Sequence, residues 1–239
     1  MTLPPIGPQP ASESKLLDIL GTRRGLIVSL PRNDPALAIA AAAGGADALK
    51  VHIHVHHEAS GTHFGSLDQE RPALEAIMSQ VAVPVGIVPG AETIASREEM
   101  QQLKQMGVDF FDAYAHHMPA WMLKFDAMAC GVALEASYSV HDIVALEALG
   151  ADFFEAAVIP HEGYGKPLTA LDVAVYRSLR AAASRPIIVP TQRKMEPSDA
   201  ALLTKEIGID AVMIGAIVTG GEPSTVERTT ALFRAAIAP

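Results

Sequence analysis

Four times along the chain the same short phrase recurs: Gly45-Ala46-Asp47-Ala48-Leu49-Lys50, Gly107-Val108-Asp109-Phe110-Phe111-Asp112, Gly150-Ala151-Asp152-Phe153-Phe154-Glu155 and Gly208-Ile209-Asp210-Ala211-Val212-Met213. Each copy places a helix-stopping glycine, one apolar residue, an aspartate and then a short apolar run of strand character. A helix end tied at fixed distance to a strand start, and repeated, means strict helix–strand alternation. Such chains build parallel sheets with helices as crossovers.

Between the copies lie the other runs the pattern needs. Strands are predicted at 25–30, 50–57, 83–89, 110–116, 132–137, 153–159, 186–189 and 211–218. Helices are predicted from 12–20, after Asp34-Pro35, after Ser66, after Ser96, at 139–149, 169–183 and 197–207, and after Ser224, with a short one at 121–125. Several begin with capping boxes, such as Ser96-Arg97-Glu98-Glu99. Eight strands is the number that closes such a sheet, so the fold class is α/β, a single (β/α)8 TIM barrel of eight parallel strands, and 239 residues suit it. No linker or composition shift marks a second domain. The expected organisation is a flexible, proline-rich leader over 1–10 and a barrel over 11–239.

The four copies fall at the second, fourth, sixth and eighth strands, which together fill alternate layers of a barrel interior. Their sixth residues, Lys50, Asp112, Glu155 and Met213, then share one layer. His52, Tyr114, Ala157 and Gly215 lie above them, and His54, His116, Ile159 and Ile217 above those. The opposite parity (Val51, Ile53, Phe111, Phe154, Val212, Ile214) is apolar and suits the surrounding helices. A buried cation between two carboxylates is a self-balancing ion cluster. Functionally it makes Lys50, His52, Glu155 and Asp112 candidate acid/base residues, with Tyr114, His54 and His116 orienting a substrate. Lys50 could also form a Schiff base, although flanking carboxylates hold its proton on.

The second strand reads Lys50-Val51-His52-Ile53-His54-Val55-His56-His57. Its imidazoles raise a metal alternative in which His52, His54, His116 and Glu155 ligate a divalent ion. No compact zinc spacing is present, and residues two apart on a strand are roughly 6.5–7 Å apart, awkward for shared ligation. No cofactor is therefore required. The segment 58–65, with glycines at 61 and 65, is expected to close over the mouth.

The loops after strands seven and eight carry an anion signal. Arg193, Gly215, Thr219 and Gly220 sit where barrels often seat phosphate, glycine letting backbone N–H groups approach. Otherwise Lys+Arg 18 against Asp+Glu 27 leaves a net charge of −9 without a basic run, which disfavours nucleic acid and anionic membrane as partners. No apolar run reaches membrane-spanning length. One cysteine, Cys130, precludes an internal disulfide and fits a cytoplasmic location. Trp121, Met118 and Met122 are candidates for a homo-oligomer contact or for core packing.

Ile27-Val28-Ser29 on strand one, the run from Glu135 to Asp142, the run from Gly150 to Ala157 and the run from Ile209 to Thr219 together resemble the ribulose-phosphate-binding barrel superfamily. The likeness is nearest to the N-acetylmannosamine-6-phosphate 2-epimerases. That resemblance implies a phosphate site at Gly215 to Thr219. It does not carry over the epimerases' catalytic positions, which fall here at Pro89, Ser137 and Pro190. The reading that follows is an enzyme transferring protons next to a carbonyl of a small phosphorylated, sugar-like substrate: an isomerase, an epimerase or an aldolase-type lyase. A metal-dependent hydrolase or lyase and a non-catalytic phosphate-ligand-binding barrel are the alternatives.

Overall fold

The structure, a computed structural model, describes residues 13–238. The leader over 1–10 and the start of the first predicted helix at Ser12 lie outside the described residues. In chain order come α1 (Lys15–Thr22), β1 (Gly25–Ser29), α2 (Pro35–Ala43), β2 (Ala48–His52), β3 (Val55–His57), β4 (Thr62–Phe64), α3 (Leu67–Gln80) and β5 (Val85–Val88). Then follow α4 (Arg97–Met106), β6 (Phe110–Tyr114), β7 (Ala129–Leu134), α5 (Val140–Leu149), β8 (Phe153–Ala156), α6 (Ala170–Ala182) and β9 (Ile187–Pro190). The last elements are α7 (Pro197–Ala201, continued by a π-helical turn over Leu202–Ile207), β10 (Ala211–Ile214), α8 (Ala216–Thr219) and α9 (Pro223–Ile237). Eight strands close a parallel barrel in the order β1-β10-β9-β8-β7-β6-β5-β2, while β3 and β4 form a separate antiparallel hairpin.

The repeat explains the lower rim. Asp47 accepts the Leu26 N–H at 2.8 Å, Asp152 that of Cys130 at 2.9 Å and Asp210 that of Ile187 at 2.9 Å, so each aspartate stitches its strand to a neighbour. Asp109 instead accepts the Ser14 hydroxyl at 2.7 Å and the Leu16 N–H at 3.0 Å, pinning the first turn of α1 under the barrel. Leu16 and Leu20 then pack on Ile27, Phe110, Phe153 and Met213 inside. The two phenylalanines fill that floor because their strand partners are glycines. A Cβ on Gly86 would come within 2.0 Å of the Phe110 ring, and one on Gly131 within 2.2 Å of Phe153. The opposite parity lies in the shell cluster between sheet and helices, as the pattern requires.

Several stretches depart from the sequence reading: β6, β7 and β8 end early, at Tyr114, Leu134 and Ala156, and three other differences bear on the site or the start of a strand. The second strand ends at His52, because His54 adopts φ 53 and turns the chain out of the sheet. The alternation beyond it is real but belongs to β3, which pairs with β4 across the mouth. β7 begins at Ala129, three residues early, and includes Cys130. The apolar run after Ile214 turns helical at Ala216 rather than extending the eighth strand. Met122 is core, and Trp121 lies under the Arg97 guanidinium at 4.3 Å.

Candidate active site

At the C-terminal mouth of the barrel a cavity of about 170 Å³ is floored by Lys50, Asp112 and Glu155 and walled by Ser29, His52, Tyr114, Thr191 and Gly215. Its size compares with the ~150 Å³ that encloses one benzene, so it fits a small reacting group rather than a whole cofactor. A wider chamber of about 550 Å³ opens beyond Tyr114 and Tyr164, lined by Glu58, Glu135 and His161 among others. The hairpin β3–β4 covers the inner cavity with His56, His57 and Glu58.

The charged floor is the cluster the layer argument predicts. Lys50 Nζ lies 2.6 Å from Glu155 Oε2 and 3.3 Å from Asp112 Oδ2. All three are sequestered, with 4%, 3% and 7% of their surfaces exposed for Lys50, Asp112 and Glu155. Burial works against the Lys50 ammonium, but Asp112 and Glu155 outweigh it and its pKa ends up raised. The lysine is therefore a fixed cation and not a ready Schiff-base amine. Glu155 moves the other way from most carboxylates. Burial first and then the neighbouring Asp112 charge push its pKa well above the usual range, with Lys50 only partly offsetting them. One ammonium cannot neutralise two buried carboxylates, so the second charge is relieved by a retained proton.

Above the floor, His52 is buried, its Nε2 3.4 Å from Ser29 Oγ and its Nδ1 without a hydrogen-bond partner. Burial, His57 and Lys50 hold it far below the ordinary imidazole value, so it is neutral. Its ring stacks on Phe64 of the hairpin at 4.7 Å and lies 4.6 Å from the His57 ring. Tyr114 borders both chambers, with burial, Tyr164 and the floor carboxylates keeping its hydroxyl protonated.

Other predicted residues are engaged elsewhere. His54 Nε2 pairs with Glu99 at 3.0 Å, on the far side of its own bend, and does not line the cavity. His116 Nδ1 is 2.7 Å from the Tyr138 hydroxyl at the exposed rim. The proposed metal set of His52, His54, His116 and Glu155 therefore does not converge, and no group of three or more His, Cys, Asp or Glu residues suited to a metal occurs among the described residues. Arg193 is committed to Asp172 at 2.9 Å and to the Gly163 carbonyl at 3.0 Å. Thr219 is buried and donates to the Gly220 carbonyl at 3.0 Å. Gly220 adopts φ 66 in the turn into α9, and only Gly215 of that group lines the cavity, its N–H donating to Thr191 Oγ1 at 3.0 Å.

The sequence reading passed over several lining residues, Ser29 of β1 among them. Thr191 and Gln192 follow β9, the latter donating to the Tyr164 hydroxyl at 2.7 Å and accepting the Ile159 N–H at 3.1 Å. Tyr164 comes from the loop after β8. His57 comes from the hairpin, and only the break at His54 reveals which face it presents.

Fold and site together define a closed (β/α)8 barrel with a buried charged cluster at mid-strand, flooring a cavity that opens at the C-terminal face where barrels of this architecture carry active sites. No family model matches the sequence, and no curated protein matches it. The fold is shared with solved structures at low identity. Thiamine phosphate pyrophosphorylase from Pyrococcus furiosus superposes with TM-score 0.66 at 15% identity, over 93% of this chain and 97% of that one. Tryptophan synthase from Mycobacterium tuberculosis gives 0.71 at 14%, over 94% and 98%. A mutant tryptophan synthase alpha-subunit from P. furiosus gives 0.70 at 12%, over 89% and 99%. No helix among the described residues is long and apolar enough to cross a membrane.

Proposed function

We propose that this protein is an enzyme that moves a proton next to a carbonyl group of a small phosphorylated substrate, as an isomerase, epimerase or aldolase-type lyase does. The observation that carries the reading is the Lys50–Glu155–Asp112 floor. A fixed ammonium 2.6 Å from a carboxyl group that retains its proton is a charge stabiliser beside a proton donor and acceptor. In its ionised form Glu155 takes the proton from carbon, and its raised pKa lets the protonated form return it. Asp112 tunes Glu155, and Lys50 stabilises the negative charge that develops on the carbonyl oxygen. His52 Nδ1 and the Tyr114 hydroxyl orient the substrate's oxygens.

The phosphate part of the reading has different support. One fold neighbour is by name a thiamine phosphate enzyme, and the backbone at Gly215 reaches the cavity rim beside Thr191. With Arg193 held by Asp172 and the Gly215 N–H donated to Thr191 Oγ1, the anion would rest on the Thr191 hydroxyl proton rather than on a guanidinium. The family positions at Pro89, Ser137 and Pro190 supply no acid or base, so the chemistry falls to β2, β6 and β8.

The test is deuterium wash-out. Triose, pentose and hexose phosphates incubated with protein in D2O should lose the proton α to the carbonyl, followed by proton NMR. Glu155→Gln should abolish exchange while leaving the fold intact. No exchange from any of these carbonyl compounds would remove the acid/base reading.

A further inference from the structure

The hairpin β3–β4 brings a functional group into the site as well as covering it. His57 lines the inner cavity, its ring 4.6 Å from that of His52. Its Nδ1 lies 2.8 Å from Ser60 Oγ, and the same Oγ is 3.5 Å from the His57 carbonyl oxygen. A hydroxyl has one proton to give and can also accept, so the 2.8 Å contact admits either direction. When the hydroxyl gives its proton to Nδ1, that nitrogen is the acceptor and the ring proton resides on Nε2.

We propose that His57 is a further catalytic residue of this site, its Nε2–H donating to the substrate oxygen on which negative charge develops during proton transfer. The role rests on the acid/base reading above. Four ionisable groups bear on this ring: Lys50, His56 and Glu58, with the His52 ring tilted against it. Burial, then Lys50 and His56, hold its pKa down to about 4 against the opposing effect of Glu58. At neutral pH it is an uncharged donor that adds no second cation beside Lys50, a division of labour known from other enolising sites. Next to it, the buried His52 Nδ1 lacks a partner. An uncompleted buried nitrogen beside an oxyanion donor suits a substrate with a hydroxyl adjacent to its carbonyl, since a hydroxyl can either donate or accept.

The donor is carried on the hairpin that covers the cavity. Phe64 stacks on His52 at 4.7 Å and Glu58 meets His161 from the β8 side at 3.1 Å, contacts that hold His57 over the cavity.

Nitrogen-15 NMR of the His57 ring tests the assignment without a substrate. The expected result at pH 7 is a neutral Nε2–H tautomer, mixed with the Nδ1–H form in Ser60→Ala. A neutral Nδ1–H tautomer, or an imidazolium at pH 7, overturns the proposal. Wash-out from dihydroxyacetone phosphate tests the role. His57→Leu should lose about 10²–10³-fold in kcat with little change in KM, the scale of a lost oxyanion donor. His57→Gln, which keeps an N–H near the Nε2 position, should recover at least about tenfold of that loss. Thermal melts of both variants establish that they fold. A wild type that exchanges while His57→Leu does so equally fast overturns this role alone. A wild type that exchanges no carbonyl phosphate overturns the acid/base reading, and this role with it.

Discussion

Replacing Lys50 with methionine is the perturbation that most exposes how the barrel floor is held. The substitution keeps the length and apolar stem of the side chain and deletes only the ammonium. Asp112 and Glu155 are left 3% and 7% exposed with no cation between them. Breaking a buried pair by removing one partner costs about 3–5 kcal/mol. At roughly 2–4 °C per kcal/mol for a domain of this size, the melting temperature should fall by about 6–20 °C at pH 8. The pH dependence identifies the cause. Acid protonates the stranded carboxylates, so the deficit relative to wild type should shrink steadily as pH is lowered, even as both proteins lose stability for other reasons. Wild type has the complementary behaviour at high pH. Its raised Lys50 pKa gives a contribution fully present below 10.5 and lost as pH rises through the folded-state value. Calorimetric melts of both proteins across pH measure all of this. A Lys50→Met protein that melts with wild type at pH 8 would refute the buried ion cluster.

Other expectations follow from the same geometry. Glu155 has a raised folded pKa, so its contribution is present below its ordinary value of 4.5 and declines as pH rises through the folded value. Urea titrations should therefore show Glu155→Gln flattening that decline and approaching or exceeding wild-type stability at pH 8. His57 has the opposite sign for a base: its fall from 6.5 to about 4 corresponds to roughly 3 kcal/mol, lost as pH drops from 6.5 through 4, and His57→Gln should lose less over that interval. Gly86→Ala should destabilise by about 1–3 kcal/mol because its Cβ meets the Phe110 ring, and Phe110→Leu in the same chain should restore part of the loss in denaturant melts. Asp152→Ala strands the Cys130 N–H and should cost about 1–3 kcal/mol with no effect on wash-out, since it lies at the opposite rim.

The barrel was legible because its information is local and repeated. Each glycine–aspartate phrase marks a helix end and a strand start within six residues, and side-chain parity then assigns Lys50, Asp112 and Glu155 to the interior without any knowledge of distance. The same period misled at the second strand. Alternation continues unbroken through His54, and period two cannot distinguish one long strand from a strand followed by a hairpin. Only the left-handed backbone at His54 separates them, and a histidine gives little warning of it. The start of β7 was hidden because Ala129, Cys130 and Gly131 lack the bulky branched character that signals a strand. Arg193 looked available because its partner Asp172 stands 21 positions away on α6, a pairing no local pattern encodes. His57 was missed for a related reason: its role depends on what the hairpin packs against.

Carbon-13 NMR of the Glu155 side-chain carboxyl, titrated in the wild-type protein, tests the central claim most directly. A carboxyl group that keeps its proton well above 4.5, and moves back toward that value in Asp112→Asn, is the predicted result. A Glu155 that titrates at or below 4.5 would leave the floor a plain ion pair, its carboxylate too weak a base for the proposed transfer.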